Sequence, residues 1–280
     1  MLDNEHVEII FEGLDTYANV TLNGVKIIEA DNMFRRWRAD VKELLRTGEN
    51  TIVVRFFPPA EINKEKASKL PYTLPDSRVF TRKSPYQFGW DWGPVFITCG
   101  IWKDVYLKAW SGIKITGVHV DYSSVDADPL PLNISLTVKS DIEKPGRLRI
   151  FNEDNGEMLG SEKLNLKEGE HNYLFQVMLN DPELWWPAGL GKQKLYDLRF
   201  QLNSGGSMDE TITRFGIREV RLIREPDSEG ETFYFEVNGL PVFMKGANYV
   251  PQDNFLTRVD TARYKELMAS VVDANMNMLR

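Results

Sequence analysis

The sequence predicts a mostly β chain, made of two successive β-units and the opening of an α/β unit, and three observations carry that expectation. Apolar residues alternate with polar ones at a period of two through most of the chain. Turn pairs such as Asn23-Gly24, Asn155-Gly156, Gly205-Gly206 and Asn238-Gly239 cut that alternation into short runs. A 3.6-residue period is convincing in one stretch, near the C-terminal end. The 280 residues are enough for two domains at roughly 100 to 200 residues each.

In the first unit, Val7, Ile9, Phe11, Ala18, Val20 and Leu22 mark half-buried strands between His6 and Leu22. Asn23-Gly24 then predicts a hairpin, because both central positions of a type I′ turn need positive φ. Val41 to Leu45 reads as a short helical turn, and Ile52, Val54 and Phe56 as the next strand. Pro58 to Arg82 is long, polar and lysine-bearing, an excursion leading to the aromatic stretch Ser84–Pro94. Ile101 to Trp110, with Val105, Leu107 and Ala109 in alternation, closes the unit.

The second unit is a run of short strands at the spacing of about 8 to 12 residues expected of a sandwich. Its candidates are Ile113–Val120, Leu132–Lys139, Arg147–Phe151, Glu170–Met178, Leu195–Leu202, Glu210–Phe215 and Val220–Arg224. Turns are expected at Pro145-Gly146, Asn155-Gly156, Glu168-Gly169 and Gly205-Gly206. Trp185-Trp186-Pro187, between two strands, suits a domain contact better than a ligand. After Glu225 the composition changes, and a second Asn-Gly hairpin is centred on Asn238-Gly239. Asp260 to Ala274 is a helix, with Tyr264, Leu267, Met268, Val271 and Val272 on one face, and Asn275 is its αL stop. Met276 to Leu279 then reads as a parallel strand, and strand, loop, helix, strand is the order in which an α/β barrel begins. Strand pattern starts almost at residue 1 and an apolar segment opens just before Arg280, so the sequence reads as a piece of a longer protein.

Composition bounds the chemistry. Hydrophobic content of 42% and charged content of 27% are those of a globular chain. A net charge of −7 with dispersed Lys and Arg argues against a nucleic-acid partner. The lone Cys99 excludes an internal disulfide and a cysteine zinc cluster. His6, His119 and His171 lie far apart in strand patterns, which disfavours a metal triad or a Ser-His-Asp arrangement. No apolar run approaches the ~20 residues of a membrane span.

The least typical segment is Ser-Pro-Tyr-Gln-Phe-Gly-Trp-Asp-Trp-Gly-Pro at 84–94. Tyr86, Phe88, Trp90 and Trp92 alternate along it, while Gly89, Gly93 and two prolines break any long ladder, so a shaped loop with a short extended core is expected. Flat rings beside the single carboxylate of Asp91 suit a sugar, whose faces are C–H and whose edge is hydroxyls. The same rings also suit the core of a small β-domain, and the residues leave both readings open. Glycoside cleavage needs two carboxyl groups about 5 to 9.5 Å apart. Asp91 and Asp253 are the acids expected in ligand-facing loops, and neither has the apolar setting of a raised-pKa acid.

Arg82-Lys-Ser-Pro-Tyr-Gln-Phe-Gly-Trp-Asp-Trp-Gly-Pro94, followed by Gly100-Ile-Trp-Lys-Asp-Val-Tyr-Leu107, resembles the signature of the β-mannosidases of glycoside hydrolase family 2. Phe11-Glu-Gly-Leu-Asp-Thr-Tyr-Ala-Asn-Val-Thr-Leu-Asn-Gly24, Gly48-Glu-Asn-Thr51 and Lys245-Gly-Ala-Asn-Tyr-Val-Pro-Gln-Asp253 extend the resemblance over nearly the whole chain. It implies a jelly-roll, galactose-binding-like β-sandwich over 1–110, N-terminally truncated, an immunoglobulin-like β-sandwich over 111–224, and the truncated start of a (β/α)8 TIM barrel over 225–280. It implies the N-terminal portion of a retaining exo-β-mannosidase that acts without a cofactor on β-mannoside oligosaccharides. No catalytic residue falls in this chain, since the two catalytic glutamates lie on later barrel strands, and the fragment alone is expected to be inactive. The family's Trp-Asp pair carries over to Trp90 and Asp91, which reach the sugar subsite over the barrel mouth. Asn248 and Asp253 match the first barrel loop and Arg280 the end of the second strand, as further substrate-binding positions. Tyr249 departs from the tryptophan common in that family. An exo-β-glucosaminidase or another family 2 glycosidase is the nearest alternative, and a non-catalytic carbohydrate-binding module is the alternative from another class.

Overall fold

The computed structural model describes residues 1–280, the side chain of Ser77 excepted. It divides into two compact units, one of Met1–Trp110 with Pro251–Asp260, the other of Ser111–Val250 with Thr261–Arg280.

The first unit realises the period-two pattern as antiparallel strands. In chain order these are β1 (His6–Phe11), β2 (Leu14–Asp15), β3 (Tyr17–Leu22), β4 (Val25–Asp31), β5 (Trp37–Asp40), β6 (Ile52–Phe57), β7 (Gly100–Ile101) and β8 (Val105–Trp110). β1 is the middle of β5-β1-β8 and β3 the middle of β4-β3-β6, while β2 pairs with β7. The β3–β4 hairpin turns at Asn23 and Gly24, with φ of 51° and 86°, the positive pair that the dipeptide requires. Val7, Phe11, Leu14, Val20 and Val41 are buried together as its core. The excursion after β6 contains a helix, α1 (Pro59–Ser68), which the sequence reading passed over. Its polar, lysine-rich residues lack an apolar stripe, and Pro59 at the first helical position was the available signal.

The second unit is a sandwich followed by a small sheet and a strand–helix–strand unit. Its sandwich strands are β9 (Ile113–Asp121), β10 (Leu130–Ser140), β11 (Lys144–Asn152), β12 (Glu157–Leu166), β13 (Gly169–Leu179), β14 (Tyr196–Ser204) and β15 (Ser207–Phe215). They form β13-β10-β9 and β12-β11-β14-β15. Leu132, Ile134, Leu136 and Val138 from one sheet share a core with Leu148, Ile150, Leu198, Phe200 and Leu202 from the other. Alternate side chains of β10 and β14 are buried, as two sheets packed on one face each require.

Three sequence expectations are corrected here. Pro145-Gly146 is no turn but the start of β11. Pro145 precedes the first β14 pairing, at Arg147, so its missing N–H costs no ladder bond there, and Gly146 packs against Leu166 and Leu202. β12 went unseen because a bulge at Leu159 and a glycine at 160 break its alternation. A Cβ on Gly160 would lie 2.8 Å from Val177 Cγ1. The third concerns β16 (Val220–Ile223), expected among the sandwich strands, which pairs instead with β17 (Tyr234–Val237). β17 turns at Asn238-Gly239 into β18 (Leu240–Val242).

β19 (Gly246–Ala247) and β20 (Met278–Leu279) run parallel and are joined through α2 (Thr261–Asp273), which stops at Asn275 with φ 57°. No residue of α2 is buried, so its apolar face, with Tyr264, Met268 and Val272, is open to solvent. Among the described residues, no helix is long and apolar enough to cross a membrane.

Leu198 is fully buried between the sandwich sheets, whereas Met208 is 59% exposed. Leu198→Ala is expected to cost about 2–5 kcal/mol of stability and Met208→Ala no more than about 0.5 kcal/mol, both read from urea unfolding.

Candidate functional site

The aromatic stretch is carried by a buried polar network that composition does not announce. Lys83 follows the excursion, and its side chain is 0% exposed. An isolated ammonium there would be untenable, so everything around it accepts hydrogen bonds. Lys83 Nζ donates to Asp15 Oδ1 at 2.6 Å and Oδ2 at 2.5 Å, to the Thr98 carbonyl at 2.8 Å, and lies 2.9 Å from Thr98 Oγ1. The Asp15 carboxylate also accepts from Thr16 Oγ1 and Thr98 Oγ1, each at 2.6 Å. Burial pulls the Lys83 ammonium below the usual lysine range, against the opposing pull of Asp15. Asp15 belongs to β2, Lys83 precedes the aromatic stretch and Thr98 follows it. One ion pair therefore ties both ends of the loop to the sheet.

Between those anchors the chain is more compact than the expected extended core. Pro85–Phe88 is a 3-10 turn that ends at Gly89, φ 105°. The Trp90 N–H then donates to the Gly93 carbonyl at 3.1 Å, and the Gly93 N–H returns to the Trp90 carbonyl at 3.3 Å. This four-residue turn puts Asp91 and Trp92 at its tip. The four rings divide between the two readings that the sequence left open. Tyr86 is buried and Phe88 half-buried, while Trp90 is 47% and Trp92 38% exposed. Trp92 leans on Tyr86 with ring centroids 5.2 Å apart. Asp91 is exposed, and its carboxylate has no hydrogen-bond or ion-pair partner among the described residues.

A second segment packs on this loop. Gln87 Nε2 donates to the Asn254 carbonyl at 3.1 Å, and the Phe96 and Phe255 rings meet tilted with centroids 5.7 Å apart. Asp253 is mostly buried, with 15% of its side chain exposed. Its Oδ1 accepts from the Phe255 N–H at 2.9 Å, and Oδ2 lies 3.4 Å from Arg258 Nε. Its carboxylate therefore shapes the 251–260 segment, unlike the open one of Asp91. Asp15, Gln87, Thr98, Trp102 and Phe255 line a cavity of about 220 Å³.

The remaining two candidates meet each other in the second unit. Arg280 Nη1 donates to Asn248 Oδ1 at 3.0 Å, both side chains being exposed at the ends of the parallel pair. Next to them, the Tyr249 N–H donates to the Arg280 carbonyl at 2.6 Å. A hydrogen bond with Tyr249 raises the Tyr264 hydroxyl above the usual tyrosine range.

Sequence reasoning missed Asp15, Lys83 and Thr98. Acids other than Asp91 and Asp253 were expected in polar stretches or on exposed strand faces, and Asp15 is buried. Nothing in Leu14-Asp15-Thr16-Tyr17 distinguishes a buried carboxylate from a solvated one. Lys83 was within reach, as the basic residue next to the aromatic motif.

Residues 1–103 match the family model described as the glycosyl hydrolase 2 galactose-binding domain-like domain, and residues 113–218 match that of glycosyl hydrolases family 2. The chain is 36% identical to the β-mannosidase of Capra hircus, over 98% of this chain and 33% of that protein. It is 31% identical to β-mannosidase B of Thermothelomyces thermophilus, over 97% of this chain and 32% of that protein. It thus spans about a third of the length of the curated relatives it matches. The crystal structure of the β-D-mannosidase of Dictyoglomus thermophilum superposes with a TM-score of 0.91 at 39% identity, covering 100% of this chain and 35% of that one. The exo-chitosanase of Amycolatopsis orientalis, at 22% identity and a TM-score of 0.74 over 98% of this chain and 30% of that one, shares the fold.

Lys83→Met leaves the Asp15 carboxylate buried without its counter-charge. It is expected to lower stability by about 3–5 kcal/mol, and Lys83→Met with Asp15→Leu to recover much of that loss. Urea unfolding followed by tryptophan fluorescence measures both.

Proposed function

This chain belongs to glycoside hydrolase family 2, and on that premise we propose that the natural protein containing it is a retaining exo-β-mannosidase whose terminal mannose is bound in part by Trp90 and Asp91. The observation that carries the reading is the solvent-open pair at the tip of a loop whose base is locked. An exposed indole offers a flat apolar face to the C–H side of a pyranose, and the adjacent unpaired carboxylate accepts from ring hydroxyls. Neither group has to be freed from another partner before it binds.

The proposal divides the labour. Residues 1–110 form the jelly-roll sugar-binding sandwich, 111–219 the immunoglobulin-like sandwich, and 220–280, opening with the β16-β17-β18 sheet, lead into the first strands and helix of a (β/α)8 barrel. Asn248 and Arg280, at the ends of a parallel strand pair followed in one case by a helix, have the position of barrel residues that face a ligand. Asp253 shapes its loop and supports the ligand from behind. We assign the hydrolytic carboxyl pair to residues outside 1–280. Of the two acids first considered for ligand-facing loops, Asp91 is open and Asp253 is committed to its own loop, so they do not make an acid and nucleophile pair.

Turnover of aryl glycosides by the natural protein tests the reading. Cleavage of the β-mannoside is expected to exceed that of the β-glucosaminide, and the reverse order would transfer the assignment to a glucosaminidase. Residues 1–280 alone are expected to cleave neither. In the natural protein, Asp91→Asn is expected to lower kcat/KM by about tenfold to a hundredfold, the range for removing a hydrogen bond to a charged group.

A further inference from the structure

Trp90 is 47% exposed at a turn, yet its ring is held. The guanidinium of Arg78 lies over it, with Cζ 4.5 Å from the ring centroid. That guanidinium is itself fixed from two sides. Arg78 Nε is 3.0 Å from Asp76 Oδ2, and Nη1 donates to the Gly89 carbonyl at 3.2 Å. Asp76 is fixed in turn, because its Oδ1 accepts from the Arg78 backbone N–H at 2.8 Å and so caps the 3-10 turn Ser77–Phe80. The Gly89 carbonyl points at Arg78 from a residue with φ 105°, where a Cβ would stand 2.9 Å from Val95 Cγ2. Only a quarter of the Arg78 side chain is exposed, and its planar group is stacked and forked, as lysine could not be.

We propose that Arg78 is a positioning residue for the sugar: by covering one face of Trp90 it fixes the indole plane and leaves the opposite face to a pyranose ring next to Asp91. The inference rests on the reading of Trp90 as the sugar platform. A ring free to change rotamer at a loop tip would lose that freedom on binding, and stacking on Arg78 removes the loss in advance. Arg78 then acts through Trp90 and not on the sugar.

A double-mutant cycle in the natural protein tests this, with kcat and KM measured on whichever aryl glycoside the wild type cleaves. Arg78→Ala is expected to raise KM by about tenfold, on the scale of a desolvated cation–π contact, and Arg78→Lys to raise it less. Trp90→Ala raises KM as well, and adding Arg78→Ala to it is expected to change nothing further. Independent losses that multiply in the double variant would overturn the proposal, as would an unchanged KM in Arg78→Ala. A second readout needs no turnover. Acrylamide quenching of tryptophan fluorescence is expected to rise in Arg78→Ala and to stay level when the same change is made in Trp90→Phe. A rise that survives in Trp90→Phe would come from another tryptophan and would also overturn it. Should the preferred substrate not be a β-mannoside, the proposed specificity fails while the cycle still decides Arg78.

Discussion

The aromatic loop depends on one buried ion pair. Lys83 and Asp15 sit where neither charge can be hydrated, so the pair survives only because every donor and acceptor in it is used. Thr98 supplies a carbonyl and a hydroxyl to Lys83, and that hydroxyl with Thr16 completes the carboxylate. The pair is a poor source of net stability, since two apolar residues of the same shape would pack there at little cost. What it supplies is register. It accepts one arrangement of β2, the start of the loop and its end, where an apolar contact would tolerate several.

That constraint lets the tip of the loop stay unfilled. A loop held only by its own contacts would collapse to satisfy its exposed carboxylate and rings. Here the base is locked by charge, Tyr86 anchors Trp92, and the 251–260 segment is tied to Gln87 through the Asn254 carbonyl. Asp91 keeps its carboxylate in water, and Trp90 stays exposed with Arg78 over its ring. Asp253 shows the opposite outcome, a carboxylate spent on the backbone N–H of Phe255 and on Arg258. Two acids that look alike in sequence thus divide between an open carboxylate and an engaged one.

The sandwich of the second unit obeys simpler rules. Its interior is a layer of alternate residues from β10 and β14 and their neighbours, and its deviations are all local packing events. Gly160 lets Val177 approach, and Gly146 lets Leu166 and Leu202 close over the start of β11. Trp185 is half-buried under Arg218, with its carbonyl accepting from Asn238 Nδ2 at 3.0 Å.

What the sequence by itself determined is whatever depends on neighbours along the chain. The Asn-Gly turns at 23–24 and 238–239, the alternation of β9, β10 and β14, the αL stop at Asn275 and the singular aromatic motif were all legible, because period and dihedral preference are local properties. The helix α1 and the strand β12 were not, since one lacks an apolar stripe and the other carries a bulge. Only the tertiary structure decided that Lys83 and Asp15, 68 residues apart, share one buried site, that Arg78 lies on Trp90, and that Asp91 is open while Asp253 is engaged. Burial and partnership are pairwise facts of folded space, and a lysine or an aspartate in a sequence carries no mark of which partner the fold will bring to it.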